Sequence, residues 1–248
     1  MFESTLPFGE PELMRVSAFQ RYLDELVRDG GNAGASSRLS QLTPSLLQDL
    51  MRFEQPGRQT ELLEVVAACL RHARPLCIHL RCNDKVVPLT LFPMERLAYC
   101  PMPMEDFLAC PLAELEVMHV EPALLRPPGD PVTALVRELH LYHPLAPVTW
   151  ELAMNGSRED LLPEIAGSAA YRVAPGLDLR QLTLSPTLRA GIRRLQKQTS
   201  NLREISEWPG FTRARATRLL NALYLQAGLI VSRTHPAAAQ DSWFSANR

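Results

Sequence analysis

The sequence predicts an α+β protein: N-terminal helices packed on a small, mainly antiparallel sheet, followed by a mostly helical C-terminal domain. Three observations carry this expectation. Apolar and polar residues alternate on both sides of Asn83-Asp84-Lys85, the period of strands. Capping residues followed by proline, at Thr43-Pro44 and Ser185-Pro186, open apolar runs at helical spacing. A chain of 248 residues, 46% hydrophobic and 21% charged, has the composition of a folded protein and the length for more than one core.

Pro11 suits the first turn of an opening helix, with Leu13, Phe19, Tyr22, Leu23 and Leu26 as its apolar side up to Arg28. Gly30 to Ser37 then has the composition of a linker, so this helix is expected to be an arm rather than part of the core. A helix from Pro44 to about Phe53 follows, and after Pro56-Gly57 a second from about Thr60 to Ala73; together they predict a helical hairpin. Leu76, Ile78 and Leu80 alternate with Cys77, His79 and Arg81, and Val86 to Phe92 answers them as the second strand of a β-hairpin. Pro88 would put its strand at a sheet edge. Arg96 to Tyr99 and Leu115 to Val120 are further short strands. Pro127-Pro128-Gly129 marks a break, with a helix expected from Val132 to His140 and short helices around Trp150 to Met154 and Glu159 to Ile165. The implied organisation is an arm and linker over 1–37, an α+β domain over 38–127, a connecting helical region over 128–178, a helical domain over 179–235 and a tail over 236–248.

Charge divides the chain. Pro175 to His235 carries ten basic and three acidic residues, a net +7, whereas residues 1–174 carry −8 within an overall −1. Either the basic end meets an anionic partner or the two ends meet each other. Lys85 and Lys197 are the only lysines, and this Arg- and Leu-rich usage suggests a bacterial source. Five scattered cysteines, an odd number, favour a reducing compartment. The opening Met-Phe-Glu-Ser-Thr lacks signal-peptide chemistry and no apolar run is long enough to span a bilayer, so a cytoplasmic location without membrane contact is expected.

The last sixty or so residues carry the most specific pattern. Asn201 with Glu204 forms a capping box, Pro209-Gly210 ends that short helix, and Thr212 caps a longer one. In the longer helix Ala216, Leu219, Leu220, Leu223 and Ala227 share a face while Arg215, Arg218 and Asn221 point away. Gly228 is placed to terminate it, and Leu229 to Arg233 reads as a strand. Helix, tight turn, longer helix, strand, from Leu202 to Ile230, resembles the winged-helix and helix-turn-helix superfamily, over about residues 186–233. That resemblance implies a second helix entering the DNA major groove, with Thr212, Arg213, Arg215, Arg218 and Asn221 toward bases or phosphates and Arg233 on the wing. The sequence departs from the family after Arg233, where Thr234 to Ala239 reads as a tail in place of a second wing strand. Bacterial signalling proteins use such folds to bind proteins, so the resemblance implies either DNA or a protein partner.

Other chemistry is thinly represented. Cys77-x-His79-x-x-Cys82, with Cys100 or Cys110, invites a zinc reading, but on a strand Cys77 and His79 share a face that Cys82 does not, so no metal site is expected. Cys100-Pro101 and Cys110-Pro111 are too short to argue for haem. No phosphate-binding glycine loop, nucleophile elbow or zinc-protease motif occurs. His72, His119, His140 and His143 are isolated, and Glu151, Glu159, Asp160 and Glu164 suit a solvated face. The expectation is a non-enzymatic bacterial regulatory protein without a cofactor. Its first domain would sense or form a homodimer, and its helix-turn-helix unit would bind DNA to regulate transcription or, alternatively, serve a signalling adaptor.

Overall fold

The computed structural model describes residues 13–28, 44–53, 61–128 and 136–239. Pro11, Thr43, the Gly30–Ser37 linker, the Pro56-Gly57 turn, Gly129, the start of the Val132 helix and the end of the C-terminal tail lie outside these residues. The protein is a mixed α/β chain with antiparallel sheets, in two compact units that divide between Leu145 and Ala146 rather than near Pro127.

Among the described residues the first unit holds three N-terminal helices, α1 (Val16–Arg28), α2 (Pro44–Phe53) and α3 (Leu62–His72), and five strands. The strands are β1 (Leu76–Cys82), β2 (Lys85–Phe92), β3 (Leu97–Tyr99), β4 (Glu116–Pro122) and β5 (Tyr142–Pro144), with a short helix α4 (Met104–Ala109) before β4. Their order is β4-β1-β2-β3-β5, with every pairing antiparallel. The expected hairpin is present, pairing Leu76 with Leu91 and Cys82 with Lys85. The expected helical hairpin is fastened by Asp49 of α2, which accepts from Arg71 at 2.6 Å and contacts His72 Nε2 at 2.8 Å. Burial opposes ionisation of Asp49, but these two partners outweigh it and hold the carboxyl below its ordinary range.

Two expectations for this unit change. β2 is not an edge strand, yet its ladder to β3 spans only Thr90 to Phe92, so Pro88 still has a paired strand on one side alone. Nor is α1 a detached arm. Val16 N–H donates to Asp84 O and Val86 N–H to Met14 O, which ties the chain before α1 to the β1–β2 hairpin, and buried Phe19 stacks on His79. The boundary moves because β5 adds to β3 and the Leu145 N–H donates to Arg96 O at 2.8 Å, so the chain beyond Pro127 completes the first sheet.

The second unit opens with α5 (Leu145–Asn155), which starts on the boundary residue, and continues through β6 (Ala170–Val173), α6 (Pro186–Lys197), β7 (Ser200–Asn201), α7 (Leu202–Ser206), α8 (Arg213–Leu225), β8 (Leu229–Ser232) and α9 (Pro236–Ala239). The predicted caps form. Ser185 Oγ accepts from Leu188 N–H, Thr212 Oγ1 from Arg215 N–H, and Asn201 with Glu204 makes the reciprocal capping box. Gly210, at φ +77, makes the turn after Pro209. The short helix expected at Glu159 to Ile165 is absent; those residues turn without forming one. What the sequence concealed is β6, the centre of a three-stranded sheet ordered β7-β6-β8. The presumed tail is also built in: Ala237 and Ala238 are buried beside Ala170, and Asn201 Nδ2 donates to Ala237 O at 2.8 Å.

Candidate partner-binding cleft

From Ala216 to Leu225, α8 is buried at every position except the half-buried Arg218 and Tyr224. Its apolar face, Ala216, Leu219, Leu220 and Leu223, is where the spacing put it, except that Ala227 lies past the end of the helix and is exposed. Its supposed outer face is occupied as well, because residues 156–166 and α5 supply groups that the helix binds. Asn221 is fully buried: Oδ1 accepts from Leu162 N–H at 2.9 Å and Nδ2 donates to Asp160 O at 3.0 Å. Gln226, buried just past the helix, donates to Ala146 O and Thr149 Oγ1. Asn221 therefore braces the unit and faces no solvent, which corrects its expected place on a binding surface.

The predicted arginines are mostly spent in the same way. Arg215 donates to Gly210 O at 3.1 Å and to Ser185 Oγ at 3.2 Å, and lies over Phe211. Arg218 donates to Gly156 O at 3.4 Å, with its Nε buried and unpartnered. Arg233 reaches Ala166 O at 2.9 Å and Glu164 O at 3.3 Å, clamping the 164–166 turn. Thr212 is exposed but its hydroxyl is the helix cap, so Arg213, exposed beside it, is the one predicted residue with its side chain unengaged among the described residues. Thr212, Arg215 and Arg218 do converge, with Trp150, Met154 and Leu184, around a hollow of about 600 Å³.

A larger cleft, of about 840 Å³, lies between residues 176–184 and α6. Leu177, Leu182 and Ile192 form apolar walls, and Arg189 and Arg193 stand exposed on its rim. Leu184 lines both hollows, so they meet along the segment that leads into α6. Among the described residues neither Arg189 nor Arg193 has an acidic partner, whereas Arg180 on the opposite side is held by Asp178 at 2.8 Å. Side chains one helical turn apart stand above one another, so α6 presents the two free guanidinium groups as one feature. The sequence showed the charge of this segment; the concavity comes from the 176–184 loop, which no period announces.

Elsewhere the expected bystanders are engaged. Glu151 accepts from Asn155 Nδ2 at 2.6 Å, and Glu159 and Asp160 are exposed in the loop that closes over α8. Cys82 is buried on the core face of β1, apart from Cys77 and His79, and its thiol is pushed up to about 12 by burial and by Cys110 and Cys100. No family model matches this chain, and comparison with curated proteins and with solved structures finds no significant similarity. Among the described residues no helix is long and apolar enough to cross a membrane.

Proposed function

We propose that the protein is a non-catalytic bacterial regulatory adaptor whose second unit, a winged-helix-like module, binds an acidic, apolar segment of a protein partner in the cleft beside α6. The observation that carries this reading is the pairing of an apolar-walled cleft with Arg189 and Arg193, which no acidic group among the described residues neutralises. A partner segment with carboxylates on one side and leucine-like residues on the other satisfies both features. The winged-helix likeness is supported by the sheet order: β6 fills, from upstream, the central place that a second wing strand would take between β7 and β8. The DNA reading is disfavoured by burial. For α8 to enter a major groove, a polar flank must be free, and Asn221, Arg218 and Gln226 are bonded within the unit.

The test is fluorescence anisotropy of a labelled Leu/Glu amphipathic peptide titrated with the full chain. Binding that weakens with salt, falls at least tenfold (about 1.4 kcal/mol) in Arg189→Glu/Arg193→Glu and is not competed by duplex DNA supports the adaptor. Retardation of duplex DNA at low salt, lost in Arg213→Glu, restores the nucleic-acid reading instead. Failure of both ligands to bind removes an anionic partner altogether. Arg215 and Arg218 are unsuitable for charge reversal, because each also holds the fold.

A further inference from the structure

On the first unit, independently of the cleft, β1 and β4 place four metal-ligating residues on one face of the sheet. Directly opposed residues of an antiparallel pair project to the same side, and here Cys77 stands opposite Glu121 and His79 opposite His119. The register then shifts between His79 and Leu80, a bulge that ends this square of side chains before Arg81. The ligating atoms of Cys77, His79 and Glu121 lie within 4.8 Å of one another. His79 Nε2 is 4.0 Å from Cys77 Sγ and 3.8 Å from Glu121 Oε1. The His119 ring centroid is 5.8 Å from that of His79.

His79 lacks adequate partners as it stands. His79 Nδ1 is buried and unbonded, and Nε2 has only the long sulfur contact, its carboxylate neighbour being beyond hydrogen-bond reach. Phe19 of α1 stacks on the ring at 4.8 Å, so water has little access from that side. A half-buried imidazole and carboxylate facing one point are costly to leave unsatisfied, and the Cys77 thiol beside them shares a side-chain hydrogen bond with Thr90. An ion at that point would engage all three.

We infer that Cys77, His79 and Glu121 form a binding site for a divalent transition metal, zinc by ligand chemistry, with neighbouring His119 able to add a fourth ligand by moving toward the ion. Sulfur and imidazole ligands exclude magnesium and calcium, and the mixed S, N, O set suits Zn(II) and its spectroscopic substitute Co(II). Tetrahedral zinc bonds place neighbouring ligand atoms about 3.3–3.6 Å apart, so the present 3.8 and 4.0 Å need to close by about 0.5 Å, and the Cys77–Glu121 pair, within 4.8 Å, by at most about 1.3 Å. His79 already has the required form: burial, then repulsion from His119, pushes its pKa down to about 4. Cys77 does not, since burial raises its thiol to about 11. Binding therefore breaks the Cys77 S–H bond, forms the S–metal bond and releases one proton to solvent. The ion would fasten the edge strand β4 to β1 beneath α1.

The experiment uses the reduced, chelator-treated full chain titrated with Co(II). One Co(II) per chain is expected, with visible tetrahedral bands and a near-ultraviolet thiolate-to-cobalt absorption that zinc abolishes. That absorption is lost in Cys77→Ser and kept in Cys82→Ser, while His79→Gln and Glu121→Gln weaken binding at least tenfold and His119→Gln weakens it less. In the wild-type chain, zinc is expected to shield Cys77, but not Cys110, from alkylation read by mass spectrometry, which decides the matter if Cys77→Ser misfolds. Absence of the spectrum at micromolar Co(II), a thiolate band that survives Cys77→Ser, or alkylation of Cys77 unaffected by zinc overturns the site.

Discussion

The β1–β4 face of the first unit and the polar flank of α8 in the second both take polar side chains out of water, and they treat them in opposite ways. On α8, Asn221 fills both of its roles at 2.9 and 3.0 Å, and Arg215 and Arg218 reach backbone carbonyls, as does Arg233 beyond β8. On β1 and β4, His79 has a bare Nδ1 and only a long contact at Nε2. Residue type alone would rank the arginine-rich helix as the receptive surface. Bond satisfaction reverses that ranking: apart from Arg213 and the Nε of Arg218, the helix has used its polar groups to build the unit, and the sheet face has not.

Three measurements bear on this contrast. The largest effect belongs to Asn221→Leu, which strands the Leu162 N–H and the Asp160 carbonyl in a buried place and should cost about 3 kcal/mol in urea denaturation. A loss of less than about 1 kcal/mol, near the net worth of a single typical hydrogen bond, would mean that the flank is not held as described.

The next concerns pH in the metal-free protein. The groups facing His79 are Cys77 on its own strand, His119 and Glu121 on β4, and Phe19 on α1. Burial keeps the His79 imidazole neutral down to about 4, against 6.5 ordinarily. As pH falls, the unfolded chain takes up this proton first, so stability is lost from about 6.5 down to about 4 and is level below. The loss from pH 7 to pH 5 is about 2 kcal/mol. His79→Gln should flatten that slope; an unchanged slope would place its origin elsewhere.

The smallest effect is that of Arg233→Gln. Its two carbonyl bonds are exposed, so about 1 kcal/mol of stability should go, with the affinity of the Leu/Glu peptide unchanged. A fall in affinity without a fall in stability would return Arg233 to the binding surface.

Local signals were legible where a single residue announces them. The Ser185, Asn201 and Thr212 caps, the Pro209-Gly210 turn and the alternation through β1 and β2 all lie within one or two turns of chain, and they form as the spacing implies. Long-range partners were not legible. β6 has four residues, too few for a period, and its neighbours in the sheet lie well downstream. Asn221 at helical spacing with Arg218 read as solvated because nothing in the 156–166 segment reveals that it folds over the helix. The candidate metal residues show the same limit from the other side. Cys77 and His79 share a face of β1 by spacing alone, but the third candidate ligand on that face, Glu121, comes from β4, more than forty residues away.

The place of β6 also orders events in time. During synthesis this strand leaves the ribosome before either of its neighbours, and its two edges stay open until β7 and then β8 have been made. Its brevity and the exposed Arg172 in its middle limit what else can pair with it meanwhile. Should the nascent chain be cut before Leu229, the strand keeps one bare edge, and the stump offers that edge to other chains.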